Sequence, residues 1–161
     1  METLTINKEN ALKAYNGAND KGKRLLSDLL GDKVFIQNPI ERFKTYEDVC
    51  DAFNMFPGHS LPYPNPKTKR EVSINGFSAL QLIFEAFNGD WEPDYSKSNQ
   101  YKYYPWFEWV PSRSAFVYTY TDYTRTTTYL GSRLCTDTDE KATYIGKQFS
   151  DIYNEAYNPT I

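Results

Sequence analysis

Few residues in this chain have the type and spacing that enzyme chemistry requires. His59 is the only histidine, so any Ser-His-Asp or Cys-His arrangement would have to use it. It lies in a proline-rich segment, from Pro57 to Pro66, which is expected to be an irregular surface loop. The sequence contains no phosphate-binding loop, dinucleotide fingerprint, nucleophile elbow or zinc-ligand pattern. It therefore predicts no catalytic residue.

Three acidic residues, Asp90, Glu92 and Asp94, resemble the opening of a calcium-binding loop. The pattern fails further along, because Tyr95 stands where such a loop needs glycine and Tyr101 stands where it needs glutamate. We therefore expect a solvated turn, with no metal and no cofactor. An enzyme with a carboxylate-based site stays an alternative, since acidic side chains that are distant in sequence can converge in a fold.

One tract has a composition that is typical of recognition rather than catalysis. Residues 114–130 contain four tyrosines and six threonines in 17 positions. On a strand, Phe116, Tyr118 and Tyr120 would share one face and the residues between them the other. Two interpretations stay open. Either the tyrosines pack on a helix while the threonines face water, or the tyrosines form a recognition surface, because tyrosine offers stiff contact area and a hydroxyl group.

The recognition hypothesis selects eight residues as candidate ligand contacts. Aromatic rings can stack on a planar or apolar group, and arginine can pair with a carboxylate or phosphate through two hydrogen bonds. The candidates are Tyr103, Trp106, Trp109, Tyr118, Tyr120, Tyr123, Arg125 and Arg133.

The charge balance argues against a duplex nucleic-acid partner. Lysine and arginine number 18 and the acidic residues 21, which gives a formal net charge of −3. A protein that binds duplex DNA is expected to carry a basic surplus. The same balance weakens a single-stranded nucleic acid or nucleotide as ligand. We expect a host protein or a small-molecule ligand as partner, and leave a homo-oligomer open.

The elements that must position these candidates begin with a helix. A stripe of small and apolar residues at spacings 4-3-4-3-4 predicts one long helix over residues 7–30, with Thr5 or Asn7 as its cap. The stripe consists of Ala11, Tyr15, Ala18, Gly22, Leu25 and Leu29. Because glycine weakens a helix, a break near Gly17 is the alternative. A short extended piece is expected from Val34 to Ile36.

Further helices are predicted on either side of an aromatic segment. Thr45 begins a capping-box sequence that opens a short helix to about Phe53. Apolar residues on one face predict helices over 77–88 and 136–157. Residues 91–130, between them, contain 13 of the 27 aromatic residues.

Aromatic and β-branched residues favour strands, which are expected at Tyr101–Trp109, Ala115–Thr121 and Thr126–Cys135. The predicted fold class is α+β, with the long N-terminal helix and two or three further helices packed on a small antiparallel, aromatic-rich sheet. The length fits a single domain over residues 1–161.

The chain has no apolar run long enough for a membrane span, and Met1–Leu4 does not resemble the start of a signal peptide. We therefore expect no membrane association. Two cysteines, Cys50 and Cys135, are too few for a secreted disulfide scaffold, so small buried thiols in a reducing cytoplasm are expected.

Several motifs are similar to those of a known family. They are Asp90–Pro93, Tyr101–Phe107 (YKYYPWF), Gly131–Cys135 (GSRLC), Ala142–Phe149 (ATYIGKQF) and the N-terminal Asn10–Tyr15 with Gly22 and Lys23. Together they resemble an uncharacterised family of small proteins in gut Bacteroidetes genomes and their phages and prophages. The resemblance implies a phage or mobile-element context, and it implies no activity, cofactor or catalytic residue.

The expected function is a non-enzymatic, phage-associated binding protein that acts in the cytoplasm of the bacterial host. It would recognise a host macromolecule or a small, nucleotide-like signalling ligand through the aromatic and threonine-rich sheet, for example to blunt a host defence. A virion structural or assembly protein is the alternative, with the virion as its location. An enzyme with a carboxylate-based site is the second alternative.

Overall fold

The structure, a computed structural model, describes residues 6–129 and 131–161. Three features of the sequence lie outside the described residues. They are the Met1–Leu4 segment that does not resemble a signal peptide, the predicted cap Thr5, and Leu130 at the end of the tyrosine and threonine tract. The chain forms two compact units, which divide between Arg42 and Phe43. That residues 1–161 are a single domain stays a prediction.

The first unit contains two short helices where one long helix was expected. Helix α1 spans Lys8–Gly17 and helix α2 spans Asp20–Leu30, so the prediction of one helix over 7–30 is wrong. The helix breaks at Ala18, which is extended, and begins again because the Asn19 side chain accepts a hydrogen bond from the Gly22 N–H. The alternative of a break near Gly17 is confirmed.

The expected extended piece from Val34 to Ile36 is also wrong, because Asp32–Val34 is a 3-10 turn. Gly31, at φ 82°, ends α2 and leads into this turn. The turn places the Phe35 ring against Tyr15 of α1, with ring centroids 4.1 Å apart and nearly parallel planes. The stacked pair joins α1 to the segment that follows α2. Helix α3, Pro39–Arg42, comes next.

The described residues of the second unit form four α-helices, α4 (Tyr46–Ala52), α5 (Lys69–Asn88), α6 (Asp139–Gln148) and α7 (Ser150–Tyr157). The capping box that begins at Thr45 is confirmed. A second capping box, at Thr68, starts α5 eight residues before the predicted helix over 77–88.

The predicted helix over 136–157 is two helices, because the chain leaves helical geometry at Phe149. The core between α5 and α7 is tight. A Cβ atom on Gly76 would lie 2.5 Å from the backbone nitrogen of Ala156, so only glycine lets the helices approach this closely. Within the described ranges, every helix is too short or too polar to span a bilayer.

The sheet is a single antiparallel hairpin of β1, Lys102–Val110, and β2, Ala115–Thr124. The predicted third strand, Thr126–Cys135, is wrong: these residues, Leu130 apart, form bends, turns and loops. The Thr124 hydroxyl donates to the carbonyl of Thr127 and turns the chain away from the sheet. The predicted fold class, a mixture of helix and strand, is therefore confirmed, but the sheet is smaller than expected.

A β-bulge in β2 reverses the alternation of its side chains. Trp106 lies opposite Tyr120 and Phe107 lies opposite Tyr118, which leaves Thr119 as the extra residue. Because consecutive residues of β1 face opposite sides, Tyr118 and Tyr120 must do so as well. The expectation that they share a face is wrong, because sequence alternation continues only where no residue is inserted.

Candidate functional site

The inner face of the hairpin packs on α6, and Tyr118 lies in this contact. A Cβ atom on Gly146 would lie 2.5 Å from the Tyr118 ring and 2.6 Å from Pro105, so both press directly on the helix backbone. The Tyr118 hydroxyl lies 3.2 Å from the Thr143 hydroxyl and 3.1 Å from that of Thr121. Tyr118 therefore contributes to packing, as the first interpretation of the tract expected.

The outer face, opposite the contact with α6, carries four aromatic rings that we call the outer aromatic cluster: Tyr104, Trp106, Tyr120 and Tyr129. Trp106 and Tyr120 stack with centroids 6.1 Å apart, and Tyr104 lies 6.4 Å from both Trp106 and Tyr129. Tyr120 is 47% exposed and Tyr129 69% exposed, whereas Tyr104 is buried. Burial raises the pKa of Tyr104 to about 12.

A second group of rings lies where β1 begins and β2 ends. Tyr123 contacts Tyr101 at 5.0 Å and Tyr103 at 6.1 Å, and the Arg125 guanidinium lies 5.4 Å from the Tyr101 ring centroid. This geometry is a cation–π contact. Tyr101 and Tyr123 are both more than 40% exposed. Three predicted candidates are thus brought together here, with Tyr101 added.

The remaining two candidates lie apart from these groups. Trp109, near the hairpin turn, is 46% exposed and packs edge-on against Phe116 with centroids 5.4 Å apart. Arg133 lines a separate cavity of about 220 Å³ with Trp91 and Glu92. The structure therefore distributes the eight candidates over five places instead of one site.

Sequence reasoning missed Tyr101, Tyr104 and Tyr129 as members of these groups. Tyr104 and Trp106 are two residues apart on a strand, so their common face could have been predicted. Tyr129 could not, because the loop after β2 carries it back onto the sheet without a periodic pattern.

The segment that resembles a calcium loop is organised around a lysine. Lys102 is fully buried, and four carbonyl oxygens lie within hydrogen-bond distance of the three N–H donors of its Nζ. The acceptors, at 2.5–3.4 Å, belong to Asp94, Lys97, Gln100 and Arg125. Across the part of the chain that the structure describes, no three histidine, cysteine or acidic side chains converge on a metal-sized site.

The two cysteines are buried and free, which confirms their predicted character. The Tyr95 hydroxyl lies 3.8 Å from the Cys135 sulfur. Burial raises the pKa of the Cys135 thiol and raises that of Tyr95 to about 12. Since the thiolate is the reactive form of cysteine, Cys135 is a poor nucleophile. His59 is exposed at the end of a 3-10 turn, with its ring 6.1 Å from Phe56.

An apolar cavity of about 440 Å³ lies where β1 meets α5 and α7. Phe77, Pro105, Phe107 and Tyr157 form much of its wall. The hydroxyls of Tyr153 and Tyr157 are buried and have no hydrogen-bond partner among the residues that the structure describes, and burial raises the pKa of both. The volume is in the range of small-ligand and side-chain pockets.

Comparison with known proteins adds no assignment to this geometry. No family model matches the chain, and neither curated proteins nor solved structures give a match.

Proposed function

We propose that this chain is a non-enzymatic, phage-associated binding protein that recognises a host protein through the outer aromatic cluster. The observation that carries the proposal is the exposure of Tyr120 and Tyr129 beside Trp106 on a face of a rigid hairpin. Tyrosine and tryptophan are enriched at protein interfaces because they bury large area at low entropic cost.

A protein partner fits better than a small ligand because the exposed rings are spread along the hairpin. Tyr123 lies near one end and Trp109 near the other, and nine residues of β1 extend over about 30 Å. Protein interfaces typically bury about 800 Å² on each partner. Small ligands instead require concave sites that enclose much of their surface.

The host context of the proposal rests on the resemblance to proteins of gut Bacteroidetes phages and prophages. In that setting the protein would act in the cytoplasm of the bacterial host, where binding could blunt a defence protein. The net charge of −3 favours a protein over a nucleic acid as partner.

The test compares the wild-type chain with a Tyr120→Thr, Tyr129→Ser double variant. Partners captured from a Bacteroidetes lysate are identified by mass spectrometry, and the purified partner is titrated against each chain. We expect the double variant to bind at least tenfold more weakly, because central aromatic residues dominate interface energies. Threonine at position 120 preserves strand propensity.

Phe56→Ser is the matched control, since Phe56 is 76% exposed and lies outside the hairpin. It should bind the partner as the wild type does. Equal affinity of the double variant and the wild type would contradict recognition through the outer aromatic cluster. Loss of binding in the Phe56→Ser control would show that the partner uses another surface.

A further inference from the structure

The two outer edges of the hairpin differ in the hydrogen bonds that the rest of the chain makes to them. At the edge of β2, the Asn154 side chain of α7 accepts a hydrogen bond from the Phe116 N–H at 2.8 Å and donates one to the Phe116 carbonyl at 2.9 Å. An amide side chain thus takes the place of a neighbouring strand. Covering an edge in this way prevents its pairing with another chain.

The edge of β1 is paired only where the strand begins. Tyr103 and Thr136 exchange main-chain hydrogen bonds of 2.9 and 2.8 Å. Trp109 lies opposite Phe116 in the hairpin, and the main-chain N–H and C=O of Phe116 point away from β1. In an antiparallel pair, opposite residues have the same orientation, so the N–H and C=O of Trp109 point away from β2. Phe107, two residues earlier, has the same orientation. Within the described ranges, nothing pairs with the outward N–H and C=O groups of Phe107 and Trp109.

Residues of the same strand line the apolar cavity. Pro105, Trp106 and Phe107 line it from β1, Phe77 lines it from α5 and Tyr157 from α7. A volume of about 440 Å³ is enough for one large apolar side chain. Hydrogen-bonding groups and an apolar pocket are therefore combined on adjacent residues of one strand.

We propose that the β1 edge binds an extended peptide segment of a partner protein as an added strand, with one large apolar side chain of that peptide in the cavity. Two observations select a peptide. The outward groups of Phe107 and Trp109 are two residues apart, which is the repeat of an extended chain. On the same edge, Tyr103 already pairs with the main chain of Thr136 in a single antiparallel bridge. Trp106 of the outer aromatic cluster also lines the cavity, so the two surfaces adjoin, but the edge and the cavity do not include the exposed rings of Tyr120 and Tyr129. The proposal goes beyond the proposed function.

The test begins with a displayed library of random decapeptides selected on the full chain. We expect enrichment of uncharged peptides that alternate β-branched residues around one phenylalanine, tryptophan or leucine. A synthetic copy should slow hydrogen exchange at the Phe107 and Trp109 amides. Two further copies are N-methylated, one at the odd-numbered and one at the even-numbered residues. The copy whose methyl groups replace the N–H groups that pair with β1 should bind about tenfold more weakly than the parent peptide.

Two variant pairs separate the edge from the side chains. Trp109→Ala and Trp109→Pro both remove the indole, but only proline removes the outward N–H, and an edge proline leaves the ladder to β2 intact. We expect the proline variant to bind the peptide about tenfold more weakly than the alanine variant. Phe77→Ala should weaken binding, whereas Phe56→Ala should leave it unchanged. If circular dichroism shows that Trp109→Pro does not fold, the N-methylated peptides make the same test.

The proposal is overturned if no peptide is enriched, or if both N-methylated registers bind as well as the parent. It is also overturned if Tyr120→Thr with Tyr129→Ser abolishes peptide binding while Phe77→Ala and the edge variants do not. Sedimentation of the free chain tests a second copy as occupant. A dimer that Trp109→Pro dissociates would replace the peptide with self-association. None of these outcomes depends on whether the outer aromatic cluster binds a host protein.

Discussion

Lys102 places an ammonium group in the interior, where carbonyl oxygens take the role of water. A buried charge is stable only when it is fully hydrogen-bonded. The carbonyls of Asp94, Lys97 and Gln100 point inward to bind it, so the lysine shapes the loop before β1. The loop that resembles a calcium site thus surrounds a cation of its own chain.

Lys102→Met should destabilise the protein strongly. The variant removes the buried ammonium from four carbonyl oxygens, two of which, those of Asp94 and Lys97, also accept main-chain N–H groups. Breaking a buried charged network costs about 3–5 kcal/mol. Urea unfolding measures the change in the free energy of unfolding. Lys97→Met is the control, because the Lys97 side chain is 63% exposed and pairs only with Asp94 at the surface. Equal stability of the two variants would contradict a structural role for Lys102.

At this scale the sequence predicted the failure of the calcium pattern but not what replaces it. Tyr95 and Tyr101 showed that the loop lacks the residues that calcium requires. Lys102 supplies the cation because β1 places its first side chain in the interior. No local sequence pattern predicts that placement.

Among the elements, the contact of α6 with the hairpin explains two of the sequence motifs. Pro105 belongs to the YKYYPWF motif and Gly146 to the ATYIGKQF motif, and the two residues meet directly. The absence of a side chain at Gly146 is what lets Pro105 and Tyr118 reach the helix backbone. These motif residues therefore have a packing role.

Gly146→Ala should destabilise the second unit, because the added methyl group would lie 2.5 Å from the Tyr118 ring and 2.6 Å from Pro105. Overpacking of this kind typically costs about 1–3 kcal/mol. Thermal unfolding measures the loss of stability in Gly146→Ala and compares it with the control Gly58→Ala, where nothing lies within 4 Å of the added methyl group. A Gly146→Ala variant as stable as the Gly58→Ala control would show that the helix and hairpin can separate at no cost.

Element types were largely predictable, whereas their ends and pairings were not. The capping box at Thr45 and the first two strands follow from local side-chain chemistry. The bulge at Thr119 and the turn after Thr124 do not, because each depends on contacts that form only in the folded hairpin. The candidate site was consequently predicted as one surface when its residues lie in several.

Over the whole molecule, the high tyrosine content makes the fold sensitive to alkaline pH. Burial raises the pKa of Tyr95 and of Tyr104 to about 12, and raises that of Tyr153 well above its ordinary value of 10.0. In the unfolded chain these hydroxyls would ionise near their ordinary pKa. The neutral form is therefore favoured by folding.

The contribution of these tyrosines to the free energy of unfolding should be constant below about pH 10 and fall between pH 10 and about pH 12, because the unfolded chain releases these protons first. Denaturant unfolding at several pH values, with tyrosinate absorbance, measures the fall. Tyr104→Phe should reduce it, since the ring stays and the ionisable hydroxyl is removed. A Tyr104→Phe profile identical to that of the wild type would contradict the role of buried Tyr104.

The packing of α5 on α7 has a consequence for the order in which the fold is completed. The Ser73 hydroxyl of α5 bonds the Ala156 carbonyl across 83 positions of the chain, whereas every pairing of the hairpin is local. Closing a long loop costs entropy before its contacts repay it. On the ribosome the strands of the hairpin are therefore complete while the apolar face of α5 is still uncovered, and both become stable only when α6 and α7 have been synthesised.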